Sequence, residues 1–145
     1  VDNYVDYLVK TPDGNYSQVV DKGITGAKKA ELSYEVLKTI NGEAAGMPGT
    51  ELSLLKVAMK TGRHHQIRVQ MAYHGTPLYG DMKYGMPEGN PVKENPGAAK
   101  AQAAERREPV ALCASALTFF HPVTKKKMTF EMEPTGGIFQ LFETV

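Results

Sequence analysis

The sequence predicts an α+β fold in which a mixed, mostly antiparallel β-sheet carries a few helices. Three observations support this prediction. Apolar and polar residues alternate along several short segments, which is the pattern of half-buried strands. Gly, Pro, Asn and Asp separate these segments and supply turn chemistry. One segment near the middle instead carries apolar residues four apart, Ile67 and Met71, as a helix does. At 145 residues we expect a single domain over residues 1–145.

The first half of the chain is predicted to form four strands. Residues 1–10 are rich in Val, Tyr and Leu, and a Pro-Asp-Gly-Asn turn leads to a returning strand over residues 16–20. Residues 30–40 alternate with period two, which favours a strand over a helix. A loop over residues 41–49 precedes a strand over residues 50–60. Its apolar side chains point to both faces, so we expect it to be central in the sheet.

The second half is predicted to begin with a helix over residues 67–73, followed by a Gly-rich ordered loop over residues 75–85. Residues 86–108 are proline-rich and then alanine-rich, which indicates a long surface excursion. Strands over residues 110–120 and 128–132 are predicted to form an antiparallel hairpin with a basic tip. A helical turn is expected over residues 138–142.

The junction between the fourth strand and the first helix carries an unusual set of side chains. Within ten residues it holds Arg63, His64, His65 and Arg68, and Gly62 gives the turn its backbone freedom. If the helix begins near Arg63, its unpaired N–H groups and dipole add to these cations and favour a bound anion. The alternative is a solvated helix start whose arginines pair with nearby carboxylates.

Composition permits a nucleic-acid partner without demanding one, because the net charge is only +1. Cys113 is the single cysteine, which excludes an internal disulfide and favours a reducing compartment. We expect no membrane segment, no signal peptide and a cytoplasmic location. A zinc site is disfavoured, since His64 and His65 are adjacent and have no partner at ligand spacing.

Three blocks of residues, in order, resemble the RluA family of RNA pseudouridine synthases. The first is an Ala-x-Leu-x-Tyr-x-Val strand around Tyr34. The second joins Thr-Gly-Arg-His-His-Gln-Ile-Arg, residues 61–68, to Gly-Thr-Pro-Leu-Tyr-Gly-Asp-Met-Lys-Tyr-Gly, residues 75–85. The third runs from Leu112 to Pro122 and ends in Phe-Phe-His-Pro. Because the blocks stand in the family's order between residues 30 and 122, the resemblance is far more specific than one short motif.

Two departures from the family pattern stand out. Cys113 occupies a position where the family usually has His. The family nucleophile, an Asp in a His-Arg-Leu-Asp context, is missing, because His-Arg-Leu precedes none of the early aspartates Asp2, Asp6, Asp13 and Asp21. The chain also begins at Val1 rather than Met. We therefore expect it to be the C-terminal portion of a pseudouridine synthase catalytic domain, inactive by itself.

The resemblance implies the chemistry of uridine isomerisation, in which an Asp attacks a nucleotide flipped out of its stack. It implies that Arg68 pairs with that Asp and that Tyr34 contacts the base, either as proton acceptor or as stacking platform. No cofactor or metal is implied. The expected partner is RNA, either ribosomal or transfer RNA, and the full-length protein is expected to be a monomer. Candidate RNA contacts are Arg63, His64, His65, Gln66, Lys83, Arg106 and Arg107.

Two other functions remain open from sequence. The chain could be a non-catalytic RNA-binding module that keeps the basic helix start. It could also be a metal-free phosphoester hydrolase that uses His64 or His65. A hydrolase predicts that replacing either histidine abolishes cleavage of phosphodiesters, whereas a synthase predicts that Arg68 and Tyr34 matter more.

Overall fold

The computed structural model describes residues 1–85 and 109–143. Within them a four-stranded sheet has the order β2-β1-β3-β4, and a separate two-stranded sheet pairs β5 with β6. The prediction of an α+β fold with mostly antiparallel strands is confirmed. The elements are β1 (Asp2–Lys10), β2 (Ser17–Val20), β3 (Lys28–Asn41), β4 (Glu51–Met59), α1 (Gln66–Tyr73), β5 (Ala116–Phe120), β6 (Lys127–Glu131) and α2 (Gln140–Glu143), with 3-10 turns at Gly42–Ala45 and Gly137–Phe139.

The chain divides into two compact units. One is formed by Val1–Lys38 with Leu55–Ala111, and the other by Thr39–Leu54 with Leu112–Val145. The predicted site residues that the structure describes lie in the first unit. That residues 1–145 form one domain stays a prediction.

The hairpin of β1 and β2 forms as predicted. The two strands are antiparallel, with Lys10 opposite Ser17 and Tyr7 opposite Val20. The backbone N–H of Thr11 donates to the carbonyl of Tyr16 at 2.9 Å and closes the turn. Gly14 adopts a φ of 72°, a left-handed conformation that a residue without Cβ reaches at little cost. Turn chemistry and alternation therefore predict this part of the chain correctly.

β3 pairs antiparallel with β1, which confirms the strand predicted for residues 30–40. Tyr4 lies opposite Leu32 and Asp2 lies opposite Tyr34. Directly opposed residues project to the same side of a sheet, so Tyr34 shares a face with Leu32 and Tyr4. That face is covered by α1, which packs against β1 and β2. The core is small; its buried apolar side chains are Leu8, Ala30, Leu32, Val69 and Met71.

β4 confirms the predicted strand, but its predicted central position is wrong for the residues described. It lies at the end of the sheet, beside β3. Its apolar side chains are half-buried at best, and Met59 is 54% exposed. Two apolar faces showed that both sides of the strand could be covered, but strand order depends on long-range pairing, which periodicity does not contain.

α1 confirms the predicted helix, whereas a start near Arg63 is wrong. The helix begins at Gln66, after His65 has adopted a left-handed φ of 53° and ψ of 26°. A left-handed residue cannot belong to a right-handed helix, so the chain turns sharply there before the first helical residue.

The second sheet is the predicted β5–β6 hairpin, with Ala116 opposite Glu131 and Phe120 opposite Lys127. β5 starts at Ala116, six residues later than predicted. Met132 still donates its N–H to Ser115 at 2.9 Å, but Pro134 follows and has no N–H to continue the ladder. The predicted closing helical turn is present as Gly137–Phe139 and α2.

The predicted surface excursion over residues 86–108 lies outside the described residues. Within the described part of the chain, no helix has both the length and the apolar character needed to cross a bilayer.

Candidate active site

The junction between β4 and α1 is tied together by one amide side chain. Gln66 Oε1 accepts from Thr61 Oγ1 at 2.8 Å and from the backbone N–H of Arg63 at 2.9 Å. Gln66 Nε2 donates to the carbonyl of Glu31 at 3.1 Å, which anchors the turn on β3. The side chain is 2% exposed. The prediction that Gln66 contacts RNA is untested, and the structure gives this side chain the task of fixing the turn.

The turn is anchored further by charges on its sheet side. Glu31 accepts from Lys29 at 2.9 Å and from Lys60 at 2.7 Å. These hydrogen bonds, with Lys29 the stronger influence, lower the pKa of Glu31 from 4.5 to about 2. Arg63 donates its Nε–H to the carbonyl of Lys29 at 2.9 Å, and its side chain stays at the surface. Arg63 is therefore exposed, and that it contacts RNA stays a prediction.

Arg68 meets a carboxylate that belongs to this chain. Its Nε donates to Asp81 Oδ2 and its Nη2 donates to Asp81 Oδ1, both at 2.8 Å. The Asp81 side chain is fully buried, and that of Arg68 is 19% exposed. Burial acts to raise the pKa of Asp81, but the hydrogen bonds from Arg68 and two backbone N–H groups outweigh it, so this pKa lies below its ordinary value. The pairing with a nearby carboxylate, one of the open alternatives, is thus present.

Tyr84 also contacts the guanidinium of Arg68. Arg68 Cζ lies 5.1 Å from the centre of the Tyr84 ring, a cation–π contact. The Tyr84 hydroxyl accepts from the backbone N–H of Ser17 at 3.0 Å and lies 2.8 Å from His65 Nδ1. His64 Nδ1 in turn lies 2.9 Å from Ser17 Oγ. These contacts join the loop after α1 to the start of β2.

Positive charge collects around the two histidines. Their rings lie 3.8 Å apart between centroids. Burial, and then the charges of Lys10, Lys83 and Arg68, lower the pKa of His64. Burial, and then the charges of His64, Arg68 and Lys83, lower the pKa of His65, against a smaller opposing effect of Asp81. Both rings therefore stay neutral at pH 7 while cations surround them, which is a favourable setting for a phosphate.

Tyr34 belongs to a second group of side chains, near the end of α1. Its hydroxyl lies 3.2 Å from that of Tyr4, whose ring stacks on His74 with centroids 3.7 Å apart. Asp6 links this group to the helix, because it lies 3.0 Å from His74 Nε2 and accepts from Gln70 Nε2 at 2.7 Å. The hydrogen bond with Tyr4, followed by burial, raises the pKa of Tyr34 to about 12.

The two predicted catalytic residues thus lie in neighbouring groups rather than in one. Arg68 is in the first turns of α1, whereas the Tyr34 group meets the helix at His74, about 9 Å further along its axis. No hydrogen bond joins Arg68 to Tyr34 within residues 1–85 and 109–143. A ligand that engages both side chains must therefore reach from one group to the other.

Of the remaining predicted RNA contacts, Lys83 lies with its Nζ 4.4 Å from the centre of the Tyr16 ring, beside the histidines. Arg106 and Arg107 lie outside the described residues. Sequence reasoning missed Asp81 and Tyr84 as site residues, although both stand in the Gly-Asp-x-x-Tyr-Gly motif. Their fixed spacing within that motif was the available signal. It also missed Tyr4 and His74, for which no motif offered a signal.

Similarity to known proteins identifies the family of this chain. A family model described as RNA pseudouridylate synthase matches residues 1–73, half of the chain, and includes β1, β3 and the Arg68 helix. The chain therefore belongs to this family, and the RluA-type resemblance seen in its motifs is confirmed.

Individual relatives are similar over most of the chain. It is 32% identical over 123 residues to ribosomal large subunit pseudouridine synthase D of Buchnera aphidicola, covering 83% of the chain and 34% of the relative. It is 40% identical over 106 residues to an uncharacterized RNA pseudouridine synthase of Aquifex aeolicus, covering 73% and 29%. It is 34% identical over 108 residues to dual-specificity RNA pseudouridine synthase RluA of Haemophilus ducreyi, covering 74% and 39%. The chain spans about a third of the length of these relatives.

Proposed function

We propose that residues 1–145 supply the arginine and tyrosine side of an RNA pseudouridine synthase active site. The reaction breaks the N1–C1′ bond of a uridine in RNA and rejoins the ring to the ribose through C5. The nucleophilic aspartate is contributed by polypeptide outside these residues, so the chain is the C-terminal portion of the catalytic domain. The observation that carries the proposal is Arg68, whose guanidinium is rigidly placed and only partly used by Asp81.

Arg68 serves the nucleophile in two ways. A carboxylate must be ionised to attack, and a guanidinium lowers its pKa while a bidentate pair sets its direction. Asp81 cannot be that nucleophile, because its side chain is fully buried and both of its oxygens accept hydrogen bonds within the chain. The accessible edge of Arg68 is the place where an external aspartate fits.

Tyr34 acts as a platform for the flipped base. Its phenol remains protonated to high pH, since the hydrogen bond with Tyr4 raises its pKa to about 12. A group of that pKa is a poor proton acceptor near pH 7, where general bases work best with a pKa close to the ambient pH. A neutral aromatic ring can still stack on uracil, as aromatic side chains do with unstacked bases in RNA complexes.

The RNA backbone lies across the side chains beside the junction, where Arg63 and Lys83 are cations and His64 and His65 are neutral rings that can form hydrogen bonds. Arg63, His64, His65 and Lys83 are the contacts that support this part of the proposal, since three of them surround the start of β2 and Arg63 is exposed beside them. The substrate is ribosomal or transfer RNA, as the names of the relatives suggest, and the protein acts as a monomer in the cytoplasm.

The proposal is tested with the whole polypeptide that the gene encodes. Transcripts carrying 5-³H-uridine release tritium when pseudouridine forms. We expect Arg68→Lys to lower kcat by about 100-fold, because a lysine cannot reproduce the bidentate geometry. We expect Tyr34→Phe to keep most activity and Tyr34→Ala to lose it, because Phe preserves the stacking surface. The control is Lys56→Ala, an exposed residue of β4 away from the site.

Absence of tritium release by the native polypeptide, with every RNA from the cell as substrate, contradicts the proposal. If Tyr34→Phe is as inactive as Tyr34→Ala, the proposed reaction still stands. Tyr34 would then act through its hydroxyl and not as a stacking platform.

One observation favours a second function for the isolated chain. Among its described residues, the only carboxylate bonded to Arg68 is the buried Asp81. The 145-residue chain alone is therefore expected to bind RNA without isomerising it. Gel-shift binding in the absence of tritium release supports this, and isomerisation by the chain alone contradicts it.

A further inference from the structure

Among the described residues of the first unit, Asp81 is the ionisable group that accepts the most hydrogen bonds. Its Oδ1 accepts from Arg68 Nη2 at 2.8 Å, from the N–H of Lys83 at 2.9 Å and from the N–H of Tyr84 at 3.0 Å. Its Oδ2 accepts from Arg68 Nε at 2.8 Å. The backbone bonds fix the carboxylate to its own loop, so the position of Asp81 does not depend on the arginine alone.

Two groups contact the guanidinium of Arg68. Asp81 takes the Nε–Nη2 edge, and Cζ lies over the Tyr84 ring, 5.1 Å from its centre. Arginine has five N–H donors, of which Asp81 takes two. Within the described residues, no acceptor bonds to Nη1. The end-on Nη1–Nη2 edge can therefore receive a second carboxylate while Asp81 stays in place.

A carboxylate that only neutralised Arg68 would not need such fixing. The Tyr84 hydroxyl is held by Ser17 and His65, so the ring that contacts Arg68 is itself fixed in place. The bidentate contact with Asp81 sets the plane of the guanidinium, and the fixed ring of Tyr84 limits its movement. The free edge of Arg68 consequently points in one direction.

We propose that Asp81 is a positioning residue of the pseudouridine synthase reaction, which orients Arg68 so that its free edge meets the nucleophilic aspartate. The guanidinium is shared between two carboxylates, with Asp81 permanent and the nucleophile at the open edge. This inference rests on the proposed function. A different arrangement, in which the nucleophile displaces Asp81 from Arg68, makes the opposite prediction for removal of Asp81.

The test uses the whole encoded polypeptide with Asp81→Asn, which keeps the size of the side chain and removes its charge. If Asp81 positions Arg68, kcat falls by about 100-fold, as expected when a reacting group is misplaced by about 1 Å, while KM for RNA stays within about threefold. The acid limb of the kcat/KM profile also moves to lower pH, because the nucleophile no longer shares its cation with another anion. Asp13→Asn is the matched control, since Asp13 is exposed and accepts hydrogen bonds from Thr11 and Asn15 of its own turn.

If Asp81 is instead displaced by the nucleophile, its removal frees Arg68, and kcat equals or exceeds that of the native enzyme. That result overturns the proposal. So does a loss of kcat with an unmoved acid limb in a variant whose urea unfolding matches the native protein, since such a loss reflects disordered packing rather than a shared cation.

A measurement on the unsubstituted protein covers the case in which Asp81→Asn does not fold. The Nε–H of Arg68 bonded to a buried carboxylate should give a resolved ¹⁵N NMR signal that exchanges slowly with water and persists above pH 8. An Nε–H signal lost to rapid exchange overturns the proposal. If the native polypeptide forms no pseudouridine but this signal persists, the proposed function fails while the positioning of Arg68 by Asp81 stands.

Discussion

The ion pair of Arg68 and Asp81 makes a strong prediction about stability. Replacing Arg68 by Ala leaves a fully buried carboxylate with two backbone N–H donors and no counter-charge. Removing one partner of a buried pair typically costs about 3–5 kcal/mol. Because Arg68 is 19% exposed and Asp81 keeps its backbone bonds, we expect the low end, about 3 kcal/mol.

Urea unfolding followed by circular dichroism measures this difference. Lys60→Ala serves as the control, because it removes an ion pair whose lysine is 63% exposed, and we expect a much smaller change. A second variant, Arg68→Met, keeps packing against Tyr84 but lacks the charge, so it should be nearly as destabilised as Arg68→Ala. An Arg68→Met variant as stable as the native protein would show that packing, not charge, is what Arg68 contributes.

The same pair predicts a pH dependence. The pKa of Asp81 is lowered in the folded protein, so its ionised form contributes stability above the ordinary value of 3.8. That contribution is lost as the pH falls through the folded-state pKa. In Arg68→Ala, burial without the arginine raises the pKa of Asp81. As the pH falls, Asp81 is therefore protonated earlier in the variant than in the native protein, and protonation removes the cost of its buried charge. The difference in unfolding free energy between the native protein and Arg68→Ala should therefore begin to narrow above pH 3.8 and keep narrowing as the pH falls below that value. A difference that is constant with pH refutes the reasoning.

Three further predictions concern other parts of the first unit. Tyr4→Phe removes the hydrogen bond that raises the pKa of Tyr34 to about 12, so ultraviolet titration should find that pKa nearer 10.0; an unchanged value contradicts the assignment. The native carboxylate of Glu31 is paired with two lysines and loses its contribution to stability as it is protonated between about pH 4.5 and 2. In Glu31→Gln the unfolding free energy should therefore fall less over this pH range than it does in the native protein. Gly85→Ala should destabilise by about 1–3 kcal/mol, since its Cβ would lie 2.5 Å from a backbone oxygen, whereas Gly62→Ala, with open space around it, should not.

Local chemistry was enough to predict most elements of this fold. The Pro-Asp-Gly-Asn turn and the alternation around it gave the β1–β2 hairpin, and period two over residues 30–40 gave β3. The place of β4 at the end of the sheet was not predictable in the same way. Strand order depends on which segments meet in space. An apolar strand has the same residue pattern at the edge of a sheet as in its centre.

The site, too, was predictable from the sequence only in part. Motifs singled out Arg68 and Tyr34, but the partner of Arg68 is 13 residues away in an irregular loop, where no periodicity relates the two positions. The sequence also did not show that α1 stops short of Arg63, since His65 takes a left-handed conformation that is uncommon for a residue with a Cβ. Both features depend on tertiary contacts with Tyr84 and Ser17 rather than on the local sequence.

The most direct test of the central claim, that Arg68 serves uridine isomerisation in RNA, is a map of pseudouridine in the ribosomal and transfer RNA of cells that lack the gene. The account predicts that at least one pseudouridine disappears, that the native gene restores it, and that Arg68→Met does not. Full restoration by Arg68→Met, or an RNA population with no pseudouridine lost, would contradict it.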